Sequence, residues 1–185
     1  MKVKVMAVIL ALSALQASLL VHADSHALSI GYAQSRVQDF KNLRGVNLKY
    51  RYEPNSLLGV ITSFSYMSAG GHEFDSLSWG DTYYDDRIKV KYYSLLIGPS
   101  YRINKYVSLY AVSGLGSSKL DLTQNYRHTN YTYTEHTASN TTSFAYGAGV
   151  QINPLKNIAI DISYEKSKIN AKKINGFSMG IGYHF

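Results

Sequence analysis

The segment that most constrains the fold is the last one, Phe177-Ser178-Met179-Gly180-Ile181-Gly182-Tyr183-His184-Phe185. Every odd position is large and apolar, and every even position is Gly, Ser or His. A period of two puts Phe177, Met179, Ile181, Tyr183 and Phe185 on one face of a strand and the small or polar residues on the other. A soluble edge strand can alternate in this way. A chain whose strongest alternation is its terminal strand fits an outer-membrane β-barrel better, because there one face meets lipid and the other meets the lumen.

The same period recurs along the chain. Leu28, Ile30 and Tyr32 are predicted to face out, with Ser29, Gly31 and Ala33 between them. Val46, Leu48, Tyr50 and Tyr52 alternate with Asn47, Lys49, Arg51 and Glu53. Leu58, Val60, Thr62, Phe64 and Tyr66 make a third set. Tyr93, Leu95, Ile97, Pro99, Tyr101 and Ile103 make a fourth, with Ser94, Gly98, Ser100 and Arg102 inside. Val107 to Leu115 reads as a fifth strand whose two faces are poorly distinguished. Phe144, Tyr146, Ala148, Val150 and Ile152 form the sixth, and Ile158, Ile160, Ile162 and Tyr164 the seventh. With the terminal segment, the fold class is all-β: an eight-stranded antiparallel transmembrane up-and-down barrel, closed so that no strand edge is left in lipid. A lipocalin has the same strand number but hides its apolar face inside. Here charged residues alternate with bulky aromatics, so one face is dry and the other wet.

The connections alternate in length. Pro54-Asn55-Ser56, Asn104-Lys105 and Asn153-Pro154-Leu155-Lys156-Asn157 read as short turns, and the polar stretches Gly70 to Asp86 and Thr123 to Asn140 as long loops. Short periplasmic turns, long extracellular loops and an even strand number place both termini in the periplasm. At the N-terminus, Lys2 and Lys4 precede an apolar run from Val5 to Leu20 and then Val21-His22-Ala23. This predicts a signal peptide over 1–23 and a barrel over 24–185. The run is too short and too interrupted for a membrane anchor. There is no Cys, hence no disulfide framework. Without Lys2 and Lys4 the basic count falls from 19 to 17 against 12 acidic residues, a net charge of about +5. The basic residues carry no nucleic-acid recognition motif, so an anionic lipopolysaccharide surface is the expected counterpart rather than nucleic acid.

Lys49, Arg51, Glu53, Arg102, Asp161 and Glu165 fall on lumen positions. In a barrel this narrow side chains fill the interior, and a paired polar plug is favoured over an ion pathway. Among the loops, the first is basic around Lys41 and Arg44, and the last carries Lys166, Lys168, Lys172 and Lys173. First and last strands are neighbours in a closed barrel, so these loops form one cationic side. Two readings stand beside each other there: contact with lipopolysaccharide phosphates or sulfated host glycans, and a merely solvated rim. The second loop is acidic, with Glu73, Asp75, Asp81, Asp85 and Asp86. The third is rich in Tyr and Thr, and Arg127, Tyr131 and Tyr133 are its candidates for contact with a host protein. An enzyme needs a nucleophile or base paired with His and a carboxylate. His72-Glu73 and Glu135-His136 are adjacent on extended segments and point to opposite sides, so no catalytic residue, metal ligand or cofactor is assigned.

Gly31-Tyr32-Ala33-Gln34-Ser35, Gly45-Val46-Asn47-Leu48-Lys49-Tyr50-Arg51-Tyr52-Glu53, Gly98-Pro99-Ser100-Tyr101-Arg102, Tyr146-Gly147-Ala148-Gly149-Val150 and Gly180-Ile181-Gly182-Tyr183-His184-Phe185 resemble the Ail/Lom/OmpX/PagC family of enterobacterial outer-membrane proteins. Asp39-Phe40-Lys41-Asn42 and Lys173-Ile174-Asn175-Gly176-Phe177 look closest to the PagC and Rck branch. The resemblance spans the chain after residue 23 and rests on strand motifs, so it identifies the scaffold strongly and a ligand weakly. It implies a multi-pass protein of the Gram-negative outer membrane. It also implies a terminal aromatic signal, Tyr183 and Phe185, read by the barrel assembly machinery. Its members include adhesins, invasins and serum-resistance factors, so host extracellular-matrix proteins or complement regulators are the implied partners. The alternatives are a structural outer-membrane protein that interacts with lipopolysaccharide and, less favoured, a lipid A-modifying enzyme.

Overall fold

A computed structural model describes residues 25–37, 42–54, 57–75, 83–128, 131–169 and 172–185. Eight strands alternate along the described chain: β1 Ser25–Val37, β2 Leu43–Glu53, β3 Leu58–Asp75, β4 Tyr83–Arg102, β5 Val107–His128, β6 Tyr131–Leu155, β7 Ile158–Ile169 and β8 Lys172–His184. Each pairs antiparallel with its sequence neighbours, and β1 pairs with β8, closing the barrel in the order β1 to β8. The expected signal peptide over 1–23 lies outside the described residues.

Closure rests on close backbone approach at the seam. Gly31 is opposite Gly180, and Ser29 opposite Gly182. A Cβ on Gly31 would stand 2.6 Å from the Cα of Gly180. Phe185 is tied to the first strand as well: its N–H donates to the carbonyl of His26 at 2.8 Å, and the His26 N–H donates to its carbonyl at 2.9 Å.

The period-two assignments of facing hold. Ile30, Leu95, Ile97, Leu115, Phe144 and Ile181 are large apolar side chains exposed on the outer wall, and Ser29, Asn47, Lys49, Arg51, Ser94, Gln151 and Asp161 are buried inside. The fifth strand is ambiguous in sequence because its inner face is partly apolar. Tyr110 and Val112 point inward and pack with Ile61, Leu96 and Ala145, while Leu109 and Leu115 face out.

Two expectations about connections are corrected. The stretches Gly70 to Asp86 and Thr123 to Asn140 are not simply loops: β3 and β4 stay in register up to Asp75 opposite Tyr84, and β5 and β6 up to His128 opposite Tyr131. Loss of apolar alternation marks where the wall leaves lipid. It does not end the hydrogen-bond ladder, which Thr- and Tyr-rich segments continue readily. The third short turn is also smaller than expected. β6 runs on through Asn153 and Pro154 to Leu155, with a register shift between Ile152 and Leu155, and the turn is Lys156-Asn157. A bulge is where a strand tolerates a proline, which cannot donate to the ladder.

The result is a lopsided barrel. β1, β2, β7 and β8 have 11 to 13 residues, near the 9 to 11 that cross a bilayer when tilted. β3 to β6 have 18, 20, 22 and 25. The excess lies at one end, called here the hairpin end. The opposite end, with the short turns and both described termini, is the turn end.

Candidate functional site: a basic rim, a raised sheet and a filled lumen

At the hairpin end β3 to β6 continue as a four-stranded sheet above their neighbours. The β2–β3 ladder stops at Arg44 opposite Ser68, and the β6–β7 ladder at Tyr146 opposite Lys166. Above those levels, among the described residues, β3 pairs only with β4 and β6 only with β5. The sheet therefore has an edge at β3 from Ala69 to Asp75 and another at β6 from Tyr131 to Ala145. Arg127, Tyr131 and Tyr133 lie near the tip of this sheet. Arg127 is opposite Tyr83 and Thr132, Tyr131 opposite His128, and Tyr133 opposite Tyr126. They are ladder positions rather than positions on an open loop.

Basic residues sit at the foot of the sheet. Lys41 lies outside the described residues. Arg44 is not in the first loop as expected. It is an exposed strand residue of β2, opposite Gln34 of β1, because the ladder extends two pairs past Gly45, to Leu43 opposite Ser35. Lys166 and Lys168 are exposed on β7, and Lys173 is exposed on β8. Lys168 is directly opposite Lys173, and Lys172 opposite Ile169, so these four lysines are also paired strand residues rather than loop residues. Since β1 pairs with both β2 and β8, Arg44 and the lysines flank one strand. The exposed Arg36 of β1 sits between them, opposite Asn175. Beneath them Tyr32, Tyr164 and Phe177 are exposed on the outer wall, and the Lys166 ammonium lies 5.6 Å from the Tyr164 ring centre. Where β6 parts from β7 there is an open cleft of about 470 Å³, lined by Phe144, Tyr146, Lys166, Lys168, Lys173 and Ile174 among others.

Sequence reasoning missed the basic residues on the other side. Lys89 and Lys119 are exposed and Lys91 half-buried. Lys91 is directly opposite Lys119, and Lys89 opposite Asp121. A signal was available, because they continue the outward parity of Tyr93 to Ile103 and of Leu109 to Leu115. Arg36 continues that of Ile30 and Tyr32 in the same way.

The six charged lumen candidates all face inward and fall into two groups. Lys49 pairs with Asp161 and donates to Ser163 at 2.8 Å and Ser178 at 3.1 Å. The Tyr110 hydroxyl lies 2.9 Å from both Asp161 oxygens. Glu165 accepts from Tyr92 at 2.7 Å and from Ser65 at 3.4 Å. Nearer the turn end, Arg102 bonds Glu53, and Arg51 stands 3.3 Å from the other Glu53 oxygen. Toward the hairpin end the lumen is apolar instead. Val37, Leu43, Met67, Val90, Tyr92 and Ile174 are buried together with Ala33. The interior is thus a polar network under an apolar cap, and the cap was missed by attending to charge.

Tyr183 and Phe185 face outward at the turn end, ring centres 6.3 Å apart. Phe185 also stacks on His26 at 5.8 Å, and His26 in turn bonds the Tyr50 hydroxyl at 2.8 Å.

With this geometry in place, the relatives of the chain are informative. The family model "Enterobacterial Ail/Lom protein" matches residues 2–185. The virulence membrane protein PagC of Salmonella typhimurium is 47% identical over 163 residues, which cover 88% of each chain. The attachment invasion locus protein of Yersinia enterocolitica is 42% identical over 178 residues, 91% of each chain. The crystal structure of Ail from Yersinia pestis, in complex with the heparin analogue sucrose octasulfate, superposes with a TM-score of 0.72 at 42% identity, covering 89% of this chain and all of that one. The closed eight-stranded barrel, its outward apolar wall and these matches together make the chain a member of the enterobacterial Ail/Lom family of outer-membrane proteins.

Proposed function

We propose that this is an outer-membrane protein of virulence type, which uses its hairpin end to engage host surfaces in adhesion, invasion or serum resistance. The hairpin end is extracellular in this proposal, both termini are periplasmic, and residues 1–23 are removed as a signal peptide. The observation that carries the proposal is the raised sheet of β3 to β6, with its two edges and its basic foot. A sheet edge can take an extended peptide by main-chain pairing. The lysines and arginines below it suit phosphate or sulfate. PagC and the attachment invasion locus protein are named for virulence and attachment, and the solved Ail relative was crystallised with a polyanionic sugar. These support the role without naming the host ligand.

The test compares two variants in cells expressing the protein. One reverses charge at Lys168, Lys172 and Lys173. The other shortens the β5–β6 hairpin by removing 126–133. Loss of attachment with the first, graded by salt, assigns recognition to the basic foot. Loss with the second assigns it to Arg127, Tyr131 and Tyr133 at the tip. If attachment to host cells and survival in serum are unchanged in both, the adhesive role fails.

A second function is favoured by one particular feature. Lys91 faces Lys119 and Lys168 faces Lys173 across strands, an arrangement that is destabilising unless an anion lies between. Lys168 and Lys173 sit above the exposed Tyr164 and Phe177, a level that suits the phosphates of an outer leaflet. This supports a structural outer-membrane protein held by lipopolysaccharide through Arg44 and the lysines. The polar lumen network acts as a plug in either case, and Tyr183 and Phe185 serve recognition by the assembly machinery.

A further inference from the structure

The two ionic groups of the lumen are not separately neutral. Lys49 contacts Asp161 and also feels the charge of Glu165. The layer nearer the turn end has the opposite imbalance. Glu53 is shared by two guanidinium groups, Arg102 on one oxygen and Arg51 on the other. One carboxylate against two permanent cations leaves a positive charge. Arg51 is 1% exposed and Glu53 is 2% exposed. The excess carboxylate of the neighbouring group, acting through Asp161, offsets this charge only from a distance, and a locally unpaired charge at such depth is costly.

The surrounding groups are those an anion requires. Arg51 Nη2, Arg102 Nε, Ser100 Oγ and Ser108 Oγ are buried and make no hydrogen bond to a protein atom. Register brings them together, because Arg102 is opposite Ser108, and Ser108 opposite Gln151, so successive strands present them at one level of the lumen. Gly59 of β3 contributes no side chain at this level. A Cβ there would meet the Glu53 Cγ at 2.6 Å and the Ser100 Oγ at 2.7 Å. Arg102 retains partial exposure, with its side chain 29% accessible, so the layer communicates with the mouth of the barrel at the turn end.

We propose that this layer is a binding site for a small monovalent anion of the halide class, held by Arg51, Arg102, Ser100 and Ser108 beside Glu53. A single negative charge completes the pairing. A divalent oxyanion would overshoot it and be repelled by the adjacent carboxylate. Water is the competing occupant: it satisfies the donors and the Gln151 and Asn153 oxygens but leaves the charge unpaired.

The test uses the barrel refolded in zwitterionic detergent and unfolded by urea. Sodium bromide is titrated against sodium methanesulfonate at equal ionic strength. Raising bromide from its half-saturating concentration to a hundredfold above it multiplies the folding equilibrium constant by about fiftyfold, the mass-action result for one site on the folded state. Methanesulfonate gives no such rise. Ser108→Ala weakens the response and Arg102→Met abolishes it. Should Arg102→Met fail to fold, anomalous diffraction from bromide-soaked wild-type crystals decides the matter: a peak between Arg51 and Arg102 is expected. Identical bromide and methanesulfonate curves, or no anomalous peak at that position, overturn the proposal and assign the layer to water.

Discussion

Truncating Asp161 to alanine removes the acceptor at the centre of the lumen. Asp161 is 1% exposed, and one of its oxygens holds the ammonium of Lys49, itself 4% exposed. The remaining partners of that ammonium are the hydroxyls of Ser163 and Ser178, which supply dipoles but no charge. Leaving a buried charge without its counter-ion costs about 3–5 kcal/mol. Loss of the Tyr110 hydrogen bond adds about 1 kcal/mol. Attraction to Glu165 offsets part of this, so a net loss of about 4 kcal/mol is expected. Replacing both partners, Lys49→Met with Asp161→Leu, removes the charge problem and leaves mainly the unpaired Tyr110 hydroxyl, a cost of about 1–3 kcal/mol. The double variant is therefore more stable than Asp161→Ala or Asp161→Leu alone, and the cycle of Lys49→Met, Asp161→Leu and their combination measures the non-additivity directly. The assay is urea unfolding of the refolded barrel, followed by the shift between folded and unfolded mobility on unheated gels. A cost below about 1 kcal/mol for Asp161→Ala, or strictly additive costs around the cycle, would refute the idea that this pair is a dry, mutually dependent unit.

Three further outcomes are expected. Deleting Phe185 lowers the yield of heat-modifiable barrel in outer-membrane fractions, and unchanged yield argues against its role as an assembly signal. Planar-bilayer recordings of the wild type give no steady conductance, since the apolar cap of Leu43, Met67, Val90 and Ile174 lies over the polar network; a stable ion-selective open state revives a pore. Gly31→Val blocks closure, because even its Cβ falls within the Gly180 backbone. The check is loss of folded mobility, with the neighbouring outward Ile30→Val as a control that keeps it.

The parts of the fold that were legible in sequence are those where lipid imposes a rule. Each strand that crosses the membrane must be apolar on every second residue, so Ile30, Leu48, Phe64, Leu95, Phe144, Ile160 and Ile181 announce themselves. Above the membrane that rule lapses. Residues such as Thr132, Thr134 and Tyr126 carry no apolar periodicity to distinguish a ladder from a loop, although the strand pairing continues through them. The charged lumen residues were found by parity, whereas their grouping was not. That Glu53 meets Arg102 rather than Asp161's neighbours depends on the stagger between strands, which no single segment encodes. The apolar cap stayed hidden because Val37, Leu43 and Ile174 lie at strand ends, where an inward apolar residue looks like an irregularity of the pattern.

The unequal strand lengths have a mechanical meaning. From the level of Tyr146 to Tyr131, β6 advances 15 residues beyond the last pair it makes with β7. At about 3.3 Å per residue and a tilt near 40°, the sheet rises roughly 40 Å above that notch. It is a fin fixed to the barrel wall along its foot. A cell coated in polysaccharide acts as a sieve, and an approaching macromolecule meets the crest of the fin long before it can reach the lysines at its base. The crest and the base are thus separated in time as well as in height. In the proposed adhesive role the tip meets large partners first, and the basic foot meets what already lies in the coat or can thread through it.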